Sequence, residues 1–530
     1  MEWTTRPVTL ARNGMVSSPH YLASAAGLAV LRDGGSAVDA AIAVNATLGV
    51  VYPHMTGPGG DAFWLVYDRN ADRVRALNGS GRAVAGANRE LFRSAGLREI
   101  PARGPLSVVT VPGAVDSWCT AHADHGRLPL ARLLSPAIDY ARNGYPVSAG
   151  QSRYTAGAAQ VLGADPLTER TMLPDGRIPR PGDLLRLPLL ADTLQTVADQ
   201  GRNGFYEGAV AAEIAAAVQR AGGLLTAADL AAHRSVWSEP ISTTYRGHQC
   251  YQHPPNSQGL AHLMVLNILE NFPLADLDDR GAEYVHLVVE ATKLAFTERD
   301  RYCADPEFGE FPVGDLLSKE FAADLGGRIG AVARPPHGVP ARIGQDTTCT
   351  VVVDGDGNAV SVIQSLYHEF GSAVTAGRSG VLLQNRGSSF SLDDMQPNRL
   401  EPGKRPFHTL MPGMVFRGGK PFLVYGTMGG EGQPQTSTAL VTRVVDFGRD
   451  VQSAIDAPRW LYGRTWGEQR RDLRLESRLP VGETLAAQGH PVRTVAAFDD
   501  VMGHAQAIRV NDDVLAGGAD PRGEGLALGW

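Results

Sequence analysis

The stretch DTTCTVVVDGDGNAVSVIQS, residues 346–365, contains two runs rich in β-branched residues that flank the turn sequence Asp-Gly-Asp-Gly at 354–357. Such runs on either side of an Asp-Gly turn are typical of a β-hairpin. Further β-branched runs and glycine turns follow to the end of the chain. We therefore predict that this hairpin opens a sheet-rich last third of the protein.

The residues upstream of the hairpin have a different pattern. Residues 331–343, AVARPPHGVPARI, are rich in proline and glycine and lack periodicity, which predicts an exposed or mobile connection. Helical periodicity dominates from about residue 120 to 330. Nearer the N-terminus, residues 21–50 predict two small-residue helices joined at Gly34 and Gly35, and residues 57–60 predict a loop that enters a buried strand.

Composition limits the classes of function. The chain has 530 residues, with 49 Lys and Arg against 56 Asp and Glu, so its formal net charge is -7. This balance gives no general basic field for nucleic acid or an anionic membrane, and we expect neither as a partner. Its four cysteines lack metal-type spacing and are too few for a disulfide scaffold, which favours a reducing compartment.

The sequence shows no secretory leader and no membrane-spanning stretch. The first twenty residues lack a continuous apolar region followed by a cleavage site. The longest mainly apolar stretch, residues 40–52, is shorter than the roughly 20 residues that cross a bilayer. These features predict a cytoplasmic protein.

The threonine at the start of the hairpin, Thr347, is a candidate nucleophile. A threonine at the mouth of a strand is usually only a β-former, so the local pattern alone does not decide the role of Thr347. A threonine hydroxyl needs a nearby base to act as a nucleophile, and a threonine made N-terminal by chain cleavage carries its own α-amine as that base. A linker that ends shortly before Thr347 is a place where such cleavage can occur.

Ordered motifs occur along nearly the whole chain. They include GGSAVDAAIAV at 34–44, GPGGDAF at 57–63, VPGAVDSW at 111–118, HLVVEATKLAFTERDRYCADP at 286–306, DTTCTVVVDGDGNAVSV at 346–362 and GTMGG at 426–430. Together these motifs resemble the γ-glutamyltranspeptidase superfamily of N-terminal-nucleophile hydrolases. The resemblance implies an α+β fold, a four-layer αββα sandwich. It also implies self-cleavage between Asp346 and Thr347 into associated segments 1–346 and 347–530 of one domain.

The same resemblance implies a catalytic set. The freed Thr347 would be nucleophile and base, and Gly429 and Gly430 match the pair whose backbone N–H groups stabilise the oxyanion. Ser365 stands where the family has a threonine whose hydroxyl contacts the nucleophile. A solvent-facing strand serine is the alternative for Ser365.

The chain departs from the family at substrate recognition. Where the family holds a substrate α-amino group with Asn, Gln and Asp, this chain has Tyr367, Arg386 and Ser389. Ser80 stands at the family's arginine position with Arg82 two residues later, and His408 and Thr409 replace a serine pair. A buried ammonium without a carboxylate would be costly, so a γ-glutamyl substrate is disfavoured.

The replacements favour a small anionic acyl group. Arg82 and Arg386 offer fork-shaped donors for a carboxylate, with Tyr367, His368, His408 and Thr409 as further substrate-binding candidates. SLYHEFGS at 365–372 and QNRGSSF at 384–390 resemble the oxamate amidohydrolase branch. The prediction is an amidohydrolase of oxamate-like substrates. Open alternatives are a γ-glutamyl hydrolase or transpeptidase, a C–C hydrolase releasing an oxalyl group, and an uncleaved anion-binding homologue.

No metal or cofactor is predicted. His122 and His125 lack a third ligand, and the glycine-rich segments at 57–61 and 426–432 match no nucleotide-binding pattern. The spacing of His286, Glu290 and Lys293 places them on one helix face, where we expect a structural cluster. The sequence leaves open whether the protein forms a homo-oligomer and whether it transfers or hydrolyses its acyl group.

Overall fold

The computed structural model describes residues 5–335, 346–463 and 472–530. In these ranges the strands are β1 Thr9–Ala11, β2 Met15–Ser18, β3 Asp61–Asp68, β4 Arg73–Gly79, β5 Tyr145–Pro146, β6 Leu184–Leu185, β7 Val236–Ser238, β8 Ile241–Tyr245, β9 His248–Gln252, β10 Asp346–Val353, β11 Ala359–Tyr367, β12 Gly413–Arg417, β13 Lys420–Thr427, β14 Trp460–Tyr462, β15 Leu473–Glu476, β16 Val492–Val495, β17 Ala505–Asn511, β18 Val514–Ala519 and β19 Leu526–Gly529.

The α-helices of the same ranges are α1 Tyr21–Arg32, α2 Ala37–Val51, α3 Arg89–Ser94, α4 Ala114–His125, α5 Leu130–Asn143, α6 Ala149–Leu162, α7 Pro166–Met172, α8 Pro188–Gln200, α9 Arg202–Tyr206, α10 Gly208–Arg220, α11 Ala227–Ala232, α12 Gly259–Leu269, α13 Ala282–Tyr302, α14 Val313–Leu316, α15 Lys319–Gly326, α16 Gly432–Val445, α17 Val451–Asp456 and α18 Gly482–Ala487. Among them, none combines the length and the apolar character that crossing a membrane requires.

Two antiparallel seven-stranded sheets form the centre of the described structure. Their strand orders are β1-β18-β17-β13-β12-β9-β8 and β19-β2-β10-β11-β3-β4-β7. Apolar side chains of both sheets meet between them, among them Phe63, Val351 and Val424. Helices cover the outer faces, with α2 against β10 and β11, and with α12 and α16 against β9 and β13. This arrangement is the expected four-layer αββα sandwich.

Each sheet contains strands from both sides of residue 346. In the first sheet, β12, β13, β17 and β18 lie between β1 on one edge and β9 with β8 on the other. In the second sheet, β10 and β11 lie between β2 and β3. Segments 1–346 and 347–530 are thus joined by backbone hydrogen bonds at several strand pairs, and neither completes a sheet alone.

The local predictions near the site hold. The hairpin is β10 and β11, and the two small-residue helices are α1 and α2. Asp354 in the hairpin turn accepts the backbone N–H of Ala37 at 3.0 Å, which ties the turn to the start of α2. Of the predicted connection at 331–343, residues 336–343 lie outside the described residues.

Candidate functional site

Thr347 lies at an irregularity in the central hairpin. Asp346 pairs with Tyr367 and Thr348 with Gln364, so Thr347 lies opposite two residues of β11, Ser365 and Leu366, in a bulge whose extra residue belongs to β11. Bulges redirect a side chain out of the regular alternation. Thr347 is buried, and its Oγ1 lies 3.4 Å from the Oγ of Ser365.

Ser365 is fixed from two directions. The strand pairing places it opposite Asp61, the first residue of β3. Its hydroxyl oxygen accepts the backbone N–H of Tyr367 at 2.7 Å. Tyr367 has φ of 86°, an unfavourable backbone conformation for a residue with a bulky side chain. The end of β11 is therefore held in a specific conformation beside Thr347.

The Gly429-Gly430 turn precedes α16. The φ angles are 126° and 55°, and at Gly429 glycine is the residue that adopts such a value without strain. The carbonyls of both glycines accept N–H groups of Gly432 and Gln433 at 2.8 and 3.2 Å, while their own N–H groups donate no hydrogen bond within the described chain. Two free N–H groups near a helix N-terminus suit a developing negative charge.

Gln258 connects this turn to the predicted substrate-binding residues. Its Nε2 donates to the carbonyl of Gly430 and to that of Thr409, each at 2.8 Å. Its Oε1 accepts from buried Arg299 at 3.0 Å, which fixes the amide orientation. Sequence reasoning did not single out Gln258, which lies in the stretch PPNSQG at 254–259.

Arg386 is a buried cation without an anionic partner among the described residues. It is 1% exposed, and its guanidinium donates to the carbonyl of Phe407 and, at 3.3 Å, to the hydroxyl of Thr409. It lies 4.1 Å from the ring centroid of Tyr367. Burial lowers the pKa of Arg386 to about 10. The contacts link Thr347, through Ser365 and Tyr367, to Arg386 and Thr409.

His368 and His408 lie beside the same group. The ring of His368 is 4.6 Å from that of Tyr367. His408 places Nε2 3.2 Å from the Oδ2 of Asp61, and its Nδ1 accepts the N–H of Leu410 at 3.4 Å, so Nε2 is the donor to Asp61. Burial holds the pKa of His408 well below its ordinary value. The structure therefore brings Tyr367, His368, Arg386, His408 and Thr409 together.

Arg82 does not join them. Its guanidinium donates to Glu307 at 2.6 Å, lies 3.6 Å from Asp305, and its side chain is 32% exposed. An arginine that already has two carboxylates gains little from a third. The structure therefore does not support the prediction that Arg82 is a second substrate clamp, because the loop after β4 directs its side chain to Asp305 and Glu307.

Comparison with known proteins identifies the group to which the chain is related. The family model "Gamma-glutamyltranspeptidase" matches residues 23–530. The chain belongs to the gamma-glutamyltranspeptidase family. It is 50% identical to the glutathione hydrolase-like YwrD proenzyme of Bacillus subtilis over 97% of this chain and 98% of the relative. It is 42% identical to the oxamate amidohydrolase proenzyme of Klebsiella pneumoniae over 98% and 99%.

A solved structure agrees with the family assignment. Cephalosporin acylase from Bacillus halodurans matches with a TM-score of 0.94 and 38% identity, covering 100% of this chain and 98% of that one. The fold is therefore that of the N-terminal-nucleophile hydrolases in this family. The chain is an amidohydrolase of the gamma-glutamyltranspeptidase family.

Asp61 is a site residue that sequence reasoning missed. It is fully buried, and Oδ1 accepts from the N–H groups of Gly81 and Gly113 and from the amide of Gln384 at 2.9 to 3.2 Å. Despite these donors, burial raises the pKa of Asp61 to about 7. A carboxylic acid that follows two glycines at the start of a buried strand was the available signal.

We expect Asp61→Asn to remove a pH dependence of stability. An aspartate in the unfolded chain has a pKa of about 3.9. Between that pH and about 7, Asp61 therefore holds a proton in the folded protein that it releases in the unfolded chain. The free energy of unfolding should fall as pH rises through this window, by up to about 4 kcal/mol relative to Asp61→Asn, and stay level above it. Urea unfolding midpoints of both proteins at pH 5, 6, 7 and 8 measure this. Parallel profiles would contradict the prediction.

Proposed function

We propose that this chain cleaves itself between Asp346 and Thr347, and that the freed Thr347 hydrolyses the amide of a small acyl substrate that carries a carboxylate and no α-amino group. Oxamate has this chemistry. The observation that carries the proposal is Arg386, a buried guanidinium without an ion pair to any carboxylate of the described residues. A buried charge without a counter-ion is unfavourable, and a bound anion corrects that.

The surroundings of Arg386 give no support for an ammonium group on the substrate. Asp61 is close enough to influence the pKa of Arg386, but its oxygens accept from Gly81, Gly113, Gln384 and His408. An acid surrounded by donors in this way is not open to a substrate cation. The side chains in contact with Arg386 are instead the hydroxyl of Thr409 and the ring of Tyr367.

Self-cleavage would use the hydroxyl of Thr347 against the carbonyl of Asp346. The resulting ester is hydrolysed by water, which leaves segment 347–530 with an N-terminal threonine. Its α-amine can then accept the hydroxyl proton as the oxygen attacks the substrate carbonyl. The N–H groups of Gly429 and Gly430 would stabilise the oxyanion, and the ammonium formed at Thr347 would return a proton to the leaving amine. Water then attacks the ester, so oxamate and water give oxalate and ammonium.

A three-substrate panel tests the acyl group. Purified protein is incubated with oxamate, glutaryl-4-nitroanilide and γ-glutamyl-4-nitroanilide, and ammonia or nitroaniline is measured. The last two differ only in the α-amino group, so their ratio isolates its contribution. We expect turnover of oxamate and a preference for the glutaryl over the γ-glutamyl compound. Turnover of the γ-glutamyl compound with inert oxamate would overturn the proposal in favour of γ-glutamyl hydrolysis or transfer.

Replacement of Ser365 should slow both reactions of Thr347. Ser365→Ala removes the hydroxyl 3.4 Å from Thr347 and leaves the N–H of Tyr367 without its acceptor. We expect self-cleavage and kcat to fall about 10-fold or more, consistent with the loss of one hydrogen-bonded positioning contact near the nucleophile. Ser365→Thr keeps the hydroxyl and should restore most of both rates. Equal rates for Ser365→Ala and wild type would exclude the positioning role.

A further inference from the structure

A buried polar cluster lies on α13. His286, Glu290 and Lys293 lie on one face of this helix, as their spacing predicts, and each is buried. The Nζ of Lys293 is 2.6 Å from the Oε1 of Glu290. A buried ion pair is stabilising only when its remaining donors and acceptors also find partners.

The remaining partners come from the main chain of residues 330–334. Lys293 Nζ donates to the carbonyl of Arg334 at 3.0 Å, and the N–H of Arg334 donates to the Oε2 of Glu290 at 3.1 Å. His286 Nε2 donates to the carbonyl of Gly330 at 2.8 Å. The N–H of Ala333 donates to the carbonyl of Gln488 at 2.7 Å. The segment is therefore held at several points by groups of α13 and by the residue after α18.

These contacts also determine which ring nitrogens of His286 and His490 donate a hydrogen bond and which accept one. Because His286 Nε2 donates to Gly330, its Nδ1 is a bare acceptor, and it lies 2.8 Å from the Nε2 of His490. His286, Glu290 and His490 do present ligand atoms within 4.8 Å of one another. The ammonium of Lys293 already occupies the carboxylate, however, and would repel a second cation. The cluster thus suits a peptide main chain better than a metal ion.

Residues 330–334 lie shortly before the bond that the proposed function cuts. The intervening residues, 335–346, form a short stretch between Arg334 and Thr347. The entropy of closing a loop changes slowly with its length. The shorter loop that results from holding residues 330–334 therefore contributes little to the rate of self-cleavage by itself. Orientation contributes more, since a misplacement of about 1 Å in a reacting group can cost about 10²-fold in rate.

We propose that Glu290 and Lys293 are positioning residues for self-cleavage, which hold residues 330–334 so that the peptide bond before Thr347 is presented to its hydroxyl. This inference rests on the proposed function, because it requires that the chain cuts itself. The pair acts on the precursor reaction and not on substrate turnover, because its contacts are to residues 330–334 and not to the group around Arg386.

The test compares two double variants of the full chain. Glu290→Gln with Lys293→Met removes both charges at similar volume, so that neither charge is left alone. The control, Arg246→Met with Asp446→Asn, removes a partly buried ion pair elsewhere, whose nitrogen and oxygen are 2.9 Å apart and which does not contact residues 330–334. Intact mass over time gives the rate at which the product beginning at Thr347 appears, and kcat is measured after processing is complete.

We expect the Glu290/Lys293 variant to process at least about 10-fold more slowly than wild type, with kcat of the processed protein within about 2-fold. The Arg246/Asp446 variant should process at the wild-type rate. Equal slowing of both variants, or no slowing of the first, would overturn the inference while leaving the proposed function intact. An uncleaved, well-folded wild type would overturn the proposed function itself.

Hydrogen exchange tests the same inference without altering the cluster. In the uncleavable Thr347→Ala protein, the amides of Ala333 and Arg334 should exchange slowly, because the first donates to the carbonyl of Gln488 and the second to the carboxylate of Glu290. Fast exchange at these two amides in folded protein would show that the segment is not held, and would overturn the positioning role whatever the variants do.

Discussion

Thr347→Ala is expected to give a single uncut chain that has lost hydrolase activity by at least about 10⁴-fold, the scale on which loss of a catalytic nucleophile acts. The variant lacks the Oγ1 that lies 3.4 Å from Ser365, so neither the Asp346 carbonyl nor a substrate amide meets a nucleophile. Electrophoresis, intact mass and N-terminal sequencing beside wild type measure the first effect. Ammonia release from oxamate measures the second.

Two matched variants serve as controls for Thr347→Ala. Thr347→Ser retains a hydroxyl and should still process and turn over, at reduced rates. Thr348→Val alters the adjacent threonine, whose hydroxyl donates to the carbonyl of Gln364 at 3.0 Å, and should process normally. Two product chains from Thr347→Ala would remove the catalytic assignment of Thr347. A single chain from well-folded wild type would favour an anion-binding homologue that does not cut itself.

Arg386→Met is expected to weaken use of anionic substrates by about 10² to 10⁴-fold in kcat/KM. Hydrogen bonds to charged groups are each worth about 1.5 to 3 kcal/mol, and a guanidinium offers a carboxylate two of them. The loss should appear mainly in KM, because the carboxylate is not the group that reacts. Initial rates with oxamate over a range of concentrations separate KM from kcat.

The same substitution should not destabilise the free protein. Arg386 is a buried cation without an ion pair to a described carboxylate, and an apolar side chain of similar size removes the cost of burying that unpaired charge. We expect the thermal midpoint of Arg386→Met to equal or exceed that of wild type. Arg386→Lys keeps the charge but loses the fork, and should fall between the two in kcat/KM. An unchanged KM in Arg386→Met would place the substrate carboxylate elsewhere.

The fold near the site was predictable because short-range signals specify it. An Asp-Gly turn between β-branched runs gave β10 and β11, and a Gly-Gly break gave α1 and α2. The resemblance to the family then supplied the order of the layers. The proximity of Tyr367, Arg386 and Thr409 was also predictable, since they stand at positions that lie together in the family, and the structure places Arg386 in contact with the other two.

What the sequence did not reveal depends on partners distant along the chain. Arg82 differs from Arg386 only in where its loop directs the side chain, and the acids at 305 and 307 that receive it are more than 200 residues away. No sequence motif marks Gln258 or Asp61 as a site residue. Gln258 is recognised by its hydrogen bonds to Gly430 and Thr409, and Asp61 by its hydrogen bond from His408. Long-range contacts of this kind have no periodicity to read.

The alternation of strands from segments 1–346 and 347–530 within both sheets has a consequence for mixed populations of molecules. Two processed molecules could exchange segments only if each broke strand pairs in both sheets at once, which amounts to unfolding. We therefore expect a molecule that is cut as proposed to keep its own two segments. When wild type and an inactive variant are mixed after processing, their activities should simply add, with no hybrid species formed by exchange.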